Sequence, residues 1–221
     1  MSRRWASLLV AEHLALQSLR TAGLPASHSE LIEAGGQTFL QLERFDRLPR
    51  NLAHGQTPDA PTRLGRRAMV SLAALDDAFV GHADQPWPVI SASLCAQGRL
   101  SAATQCQIEQ LYAFGLMIAN SDMHRGNLSF LPAADGPLQL APAYDMLPMH
   151  FAPRASGEMN NPPPGLHYRS PPALAIWQSM RPIAQAWAYI AANNSRIDDE
   201  MRNASRAQAN TLENFAANLG I

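Results

Sequence analysis

Ile118-Ala-Asn-Ser-Asp-Met-His-Arg-Gly-Asn-Leu-Ser-Phe130 gathers acidic, basic and amide side chains in a short loop between two apolar segments. Residues 102–119 before it read as a long helix capped by Ser101, with Ile108, Leu111, Tyr112, Gly115 and Ile118 on one face. Residues 128–131 and 138–141 after it read as two short strands around a turn at 132–137. Asp145 then follows in Ala141-Pro-Ala-Tyr-Asp-Met146, where the hairpin can return its carboxylate to the loop.

Asp122 and Asn127 are five residues apart, the offset of the protein-kinase catalytic loop. On that pattern Asp145 bridges Mg²⁺, Asn127 adds a carbonyl oxygen, and Asp122 stays unligated beside an attacking hydroxyl. His124 is either a loop-holding histidine or a phosphate contact, and Arg125 either neutralises phosphate or is a solvated loop residue. The competing account is a polar turn whose Asp and Asn only satisfy backbone groups. No His-Glu-x-x-His, Cys-x-x-Cys, Gly-x-Ser-x-Gly, Gly-x-Gly-x-x-Gly or Walker pattern supports zinc, serine-hydrolase or P-loop chemistry. A phosphoesterase or nuclease using Asp122, Asn127 and Asp145 with a metal is a weaker reading.

Working outward, residues 5–22 have helical periodicity, with Trp5, Leu8, Leu9, Leu16 and Leu19 on one stripe and Gly23 and Pro25 ending it. Glu12 falls inside that stripe. It is either a buried carboxylate that needs a cation or donors, or it sits at the wet edge of a tilted helix. Residues 29–34 and 38–45 are candidate strands around Gly35-Gly36. Residues 47–67 are polar and aperiodic and are expected to form a long loop. Residues 71–79 and 88–96 read as short helices. Residues 150–172 are Pro-rich and irregular, and residues 173–193 and 196–219 are helical in pattern, with Pro182 kinking or restarting the first and Ser195 capping the second.

With 221 residues, 47% of them hydrophobic, the chain can build one domain or two small lobes. A net charge of −1 gives no electrostatic case for direct nucleic-acid or membrane binding. Cys95 and Cys106 lack metal or redox spacing, and together with the absence of a signal-peptide core they place the expected compartment in the cytoplasm. All seventeen basic residues are arginine. A phosphate-binding lysine of the kinase or P-loop type therefore cannot come from this polypeptide.

Three motifs, Glu43-Arg-Phe-Asp-Arg47, Asn120-Ser-Asp-Met-His-Arg-Gly-Asn-Leu-Ser-Phe130 and Ala141-Pro-Ala-Tyr-Asp-Met-Leu-Pro148, resemble in order and spacing the C-terminal kinase region of the HipA-like proteins. These are toxins of bacterial toxin-antitoxin systems that phosphorylate protein serines. The resemblance implies a two-lobed α+β kinase-like fold: a partial small β lobe with the hinge over residues 1–46, and a mostly helical large lobe over 47–221. It implies Asp122 as catalytic base, Asn127 and Asp145 as Mg²⁺ ligands, and Glu43, Arg44 and Phe45 as an adenine-holding hinge. His124, Arg125, Gly126, Asn127 and Tyr144 would line the ATP site.

Glu12 would then sit on the helix whose carboxylate partners the ATP lysine. The family's Gly-rich phosphate loop, regulatory serine and lysine-bearing strand precede the region matched here, and the sequence is expected to start after them. The expected function is a serine/threonine kinase with ATP and Mg²⁺, acting on a protein substrate and weak or inactive by itself. The expected partners are a HipB-like DNA-binding antitoxin or a chain supplying the missing small lobe. The alternative is a catalytically silent relative that works by binding such a partner.

Overall fold

The computed structural model describes residues 3–48, 65–156, 158–160 and 162–219. The first helix, α1 (Arg3–Thr21), buries Leu8, Leu16 and Leu19 completely, whereas Trp5, expected on the same stripe, is 38% exposed. The buried face is set by what α1 packs on: the later helix α5 (Leu174–Asn193) and one face of a hairpin of β1 (Ser29–Ala34) and β2 (Gln37–Leu42). The antiparallel register runs from Ser29↔Leu42 to Ala34↔Gln37. Gly35 and Gly36 have φ of +57° and +70°, the two positive values a tight two-residue hairpin turn requires.

The expected loop at 47–67 is only partly within the described residues. At its ends β3 (Arg47–Leu48) pairs antiparallel with β4 (Gly65–Arg66), which corrects the loop reading there. A two-residue ladder is too short to leave an alternating pattern in sequence.

Next, β5 (Val70–Ser71) leads into α2 (Leu72–Phe79), whose N-cap is Ser71, its side chain accepting from Ala74 N at 3.2 Å. Helix α3 (Trp87–Ala96) starts one residue earlier than its pattern implied, with Pro88 in the first turn where its missing N–H costs nothing. Ser101 caps α4 (Ala102–Met117) by accepting from Thr104 N.

Strands β6 (Ser129–Leu131) and β7 (Gln139–Leu140) form the expected hairpin, and β5 joins it to give a three-stranded sheet in the order β5-β6-β7. Residues 149–151 make a short 3-10 turn, and the Pro-rich stretch after it carries no helix or strand among its described residues. Pro182 lies inside a continuous α5. The last helix, α6 (Asp199–Leu219), is capped by Asp198, whose Oδ1 accepts from Met201 N, and not by Ser195.

The core is formed where α4, α5 and α6 pack together, around the fully buried Phe114, Phe151, Trp177 and Trp187. Trp187 also ties the core to α1, its Nε1 donating to Ala11 O at 3.1 Å. Among the described residues no helix is long and apolar enough to cross a membrane, and both cysteines are free.

Candidate active site

Helix α4 delivers the loop through a tight C-terminal turn. Ala119 N donates to Leu116 O at 3.1 Å and Asn120 N to Gly115 O at 2.8 Å, the two bonds that close a helix around a left-handed residue. That residue is usually glycine, but here it is Ala119, at φ +62°. Asn120, 4% exposed, then uses both ends of its amide. Oδ1 accepts from Asp122 N at 3.0 Å, and Nδ2 donates to Asp145 O at 3.2 Å. One side chain thus joins the backbones of the two acids that sequence spacing singled out.

Asn127 is buried, and its Nδ2 donates to Asp122 O at 3.0 Å, leaving Oδ1 as the amide's acceptor. His124 caps the following short turn through Nδ1, which accepts from Gly126 N at 3.0 Å. Asp122, His124 and Asp145 are solvent-exposed. Partial burial raises the Asp145 pKa first, the negative charge of Asp122 raises it further, and His124 lowers it. A carboxylate raised in this way by a neighbouring negative charge favours a proton or a cation.

The fit to Mg²⁺ follows from these donors. Asp145 and Asn127 offer hard oxygens, and Mg²⁺ is commonly held by one or two carboxylates together with substrate phosphates. Among the described residues no group of three or more His, Cys, Asp or Glu is placed to hold a metal, so a dedicated protein cage is not formed. The donor set suits a magnesium ion carried on phosphates.

Asp145 reaches the site because the chain after β7 runs beside residues 25–27. Ala143 N donates to Pro25 O and Ser27 N to Ala143 O, each at 2.9 Å. Asp145 itself is at φ +54°, and its N–H donates to the carboxylate of Glu12. Glu12 is 4% exposed, which decides between its two sequence readings in favour of the buried one. Burial, followed by the charge of Asp145, raises its pKa to about 7 against the relief of the Asp145 N–H. Its Oε1 has no hydrogen-bond partner among the described residues.

Beside these acids lies a cavity of about 310 Å³ lined by Ser27, Leu42, Glu43, Arg44, Phe45, Asp46, Met69 and Tyr144. Four of the expected nucleotide residues, Glu43, Arg44, Phe45 and Tyr144, are therefore brought together. Arg44 grips Asp46 with two 2.7 Å bonds, Nε to Oδ1 and Nη2 to Oδ2. The rings of Phe45 and Tyr144 lie 5.9 Å apart. Tyr144 links the cavity to the loop bearing Asp122, its hydroxyl donating to Gly126 O at 2.9 Å and lying 2.8 Å from Ser129 Oγ.

His124, Gly126 and Asn127 belong to the loop and not to this cavity wall. Arg125 turns away, its Nη1 bound to Asp76 Oδ2 at 2.5 Å and Asp77 Oδ1 at 2.8 Å. Sequence reading missed Ser27, Asp46, Met69, Asn120 and Asp76. Of these, Asp46 and Asn120 had a signal, since both lie inside the motifs quoted from the sequence.

The model of the HipA-like C-terminal domain matches residues 2–218. The chain belongs to that family. It is 36% identical over 203 residues to Toxin YjjJ of Escherichia coli (strain K12), a match that covers 91% of this chain and 42% of that toxin. This HipA-like chain thus spans less than half the length of that curated relative. Its fold resembles a chain from the Shewanella oneidensis MR-1 toxin-antitoxin complex of HipA, HipB and operator DNA, with TM-score 0.62, 16% identity, and coverage of 95% of this chain and 56% of that one. It also resembles the Helicobacter pylori proinflammatory kinase CtkA, with TM-score 0.60, 13% identity, and coverage of 96% and 80% respectively. The α+β kinase-like fold with a helix-rich large part is shared with both.

Proposed function

We propose that these residues form the catalytic part of a protein serine/threonine kinase that transfers phosphate from ATP to a hydroxyl of a protein substrate. The observation that carries the reading is the Asn120 amide, bonded at one end to Asp122 N and at the other to Asp145 O. It brings a candidate base and a candidate metal ligand from separate segments to one point.

Asp122 would accept the proton of the attacking hydroxyl, since its carboxylate is exposed and its backbone is fixed on both sides. Asp145 and Asn127 would hold Mg²⁺, which when bound neutralises charge on the transferring phosphate. Glu43, Arg44, Phe45 and Tyr144 would hold the adenosine end in the cavity. The buried Glu12 Oε1, without a partner among the described residues, fits a cation, and the chain has no lysine to offer. The lysine and a phosphate-covering loop would come from polypeptide outside these 221 residues. Because positioning and electrostatics supply most of the catalysis in phosphoryl transfer, the 221 residues alone should turn over slowly. A HipB-like antitoxin is a fitting partner, on the strength of the Shewanella complex.

Calorimetric titration with ATP and Mg²⁺, repeated with Asp145→Asn, tests the reading. Binding that needs Mg²⁺ and disappears in the variant is expected. Absence of binding up to millimolar ATP would leave the second reading, a catalytically silent relative that acts by binding a partner. One observation favours that alternative: Ile32 and Phe39, directly opposite in the β1–β2 ladder, are 41% and 48% exposed on a sheet that has two strands among the described residues. A stable, clean monomer on size exclusion would count against it.

A further inference from the structure

The loop bearing Asp122 and Asn127 is gripped from outside by α2 and α3. Arg125 contributes a single nitrogen, Nη1, to both Asp76 and Asp77. The two carboxylates differ in setting: the Asp77 side chain is 68% exposed, whereas that of Asp76 is fully buried. Asp76 has each carboxylate oxygen engaged. Oδ2 takes Arg125, and Oδ1 accepts from His82 N at 2.8 Å, while the Asp76 carbonyl accepts from Val80 N and Gly81 N. The C-terminal turn of α2 is thereby wound around one residue whose other carboxylate oxygen, Oδ2, is bonded to Arg125 of the loop. The adjacent loop residue is held as well, because Trp87 of α3, 2% exposed, donates from Nε1 to His124 O at 3.1 Å.

A buried ion pair adds little net stability over an apolar pair of the same shape, since desolvation offsets the attraction. What it does supply is direction, because a buried carboxylate tolerates its cation in one place only. Arg125 lies between His124, whose charge acts on Asp145, and Gly126, whose carbonyl accepts from Tyr144. Asn127 follows directly. A shift of Arg125 therefore moves every loop group that the kinase reading uses.

We propose that Asp76 is a positioning residue of the catalytic loop, which through Arg125 sets where Asn127 and Asp122 stand relative to Asp145. This rests on the kinase reading for its consequence, but not for its geometry. Asp76→Asn is the informative change, because the amide oxygen can still accept from His82 N and preserve the turn of α2, while Arg125 loses its buried counter-charge. Hydrogen exchange at the amides of residues 122–128 should rise by about tenfold or more in Asp76→Asn and stay near the parent in Asp77→Asn, an exposed pair of small worth.

Metal-free ATP affinity should be unchanged, since the cavity around Phe45 and Tyr144 is untouched. The gain in affinity on adding Mg²⁺ should fall by roughly 10- to 100-fold, the usual effect of losing a partner that orients metal ligands. Arg125→Lys should retain part of the protection, because both contacts come from one nitrogen and need no guanidinium fork.

Parent-like exchange at 122–128 in Asp76→Asn would overturn the proposal. So would faster exchange spread evenly over the domain, or equal losses of metal-free and Mg²⁺-dependent affinity, either of which marks a merely structural role. If the parent protein binds no ATP, the kinase reading fails, and the exchange data still decide whether Asp76 fixes the loop. Should Asp76→Asn not fold, Arg125→Lys against Arg125→Met decides it by the same exchange readout: loss in Met with retention in Lys supports the proposal, and parent-like protection in both overturns it.

Discussion

Glu12→Gln should make the protein's stability less dependent on pH, in a window set by burial. The Glu12 carboxyl has its pKa raised from 4.5 to about 7 by burial and by Asp145. Below pH 4.5 the folded and unfolded states both hold the proton, and ionisation of Glu12 costs nothing. Between pH 4.5 and about 7 the folded state binds more protons than the unfolded state, so stability falls as pH rises, and above about 7 the full penalty applies. At about 1.4 kcal/mol per unit, the shift corresponds to a loss on the order of 3 kcal/mol across the window.

The glutamine variant has no such titration. Its amide introduces a donor where Oε1 lacks a partner, a cost of about 1–3 kcal/mol that does not vary with pH. The slope of the difference is therefore the informative quantity. Urea unfolding of both proteins from about pH 4.5 to 8 in chelator-containing buffer should give a stability difference that moves steadily in favour of Glu12→Gln. A difference that stays flat across that range would refute the placement of Glu12 as an ionisable group in the core.

The core around α5 predicts a second outcome. Trp187→Ala should lower unfolding stability by about 3–5 kcal/mol, because a fully buried indole and its bond to Ala11 O are both lost, and Trp187→Phe should cost clearly less. Gly115→Ala would ordinarily favour a helix by about 1 kcal/mol. Here the added Cβ would meet Met123 Sδ at 2.2 Å, so the single variant should be destabilised and should disturb Met123 beside Asp122. Combining it with Met123→Ala should recover stability, with a coupling of roughly 0.5–3 kcal/mol in a double-mutant cycle by denaturation; strict additivity would contradict the contact. Tyr144→Phe should speed hydrogen exchange in residues 126–129, since it removes the hydroxyl that bonds Gly126 O and Ser129 Oγ, and unchanged exchange would argue against that link.

The sequence was most readable where structure is made locally. Ser71 and Ser101 announce helices because a hydroxyl before an apolar period satisfies free N–H groups, and Gly35-Gly36 announces a turn because both positions need positive φ. Asp122, Asn127 and Asp145 were legible as a set through spacing, and the hairpin between them gave the reason for convergence. What escaped was contact between distant segments. Nothing in the pattern of α2 says that Asp76 will meet Arg125, and nothing in α1 says that Glu12 will receive the Asp145 N–H. Trp5 was assigned to the buried stripe because periodicity fixes which residues share a face but not how far the neighbouring elements extend along it. Ser195 was read as the cap because a hydroxyl there precedes the helical pattern, and the contact of Ser7 with Asp198, which fixes the true cap, joins segments far apart in sequence.

Ala119 and Asp145 both hold the left-handed backbone conformation, which costs a residue with a Cβ roughly 1–2 kcal/mol, and the Asn120 amide spans the short distance between their segments. Asp145 is thus retained by the same amide that holds the Asp122 N–H, next to the strained Ala119. Motion in such an arrangement is correlated: when Asp145 leaves its place, the Asn120 amide turns with it and the Asp122 N–H loses its acceptor. The two acids would then be in register together or out of register together, with few molecules carrying one in place and the other astray.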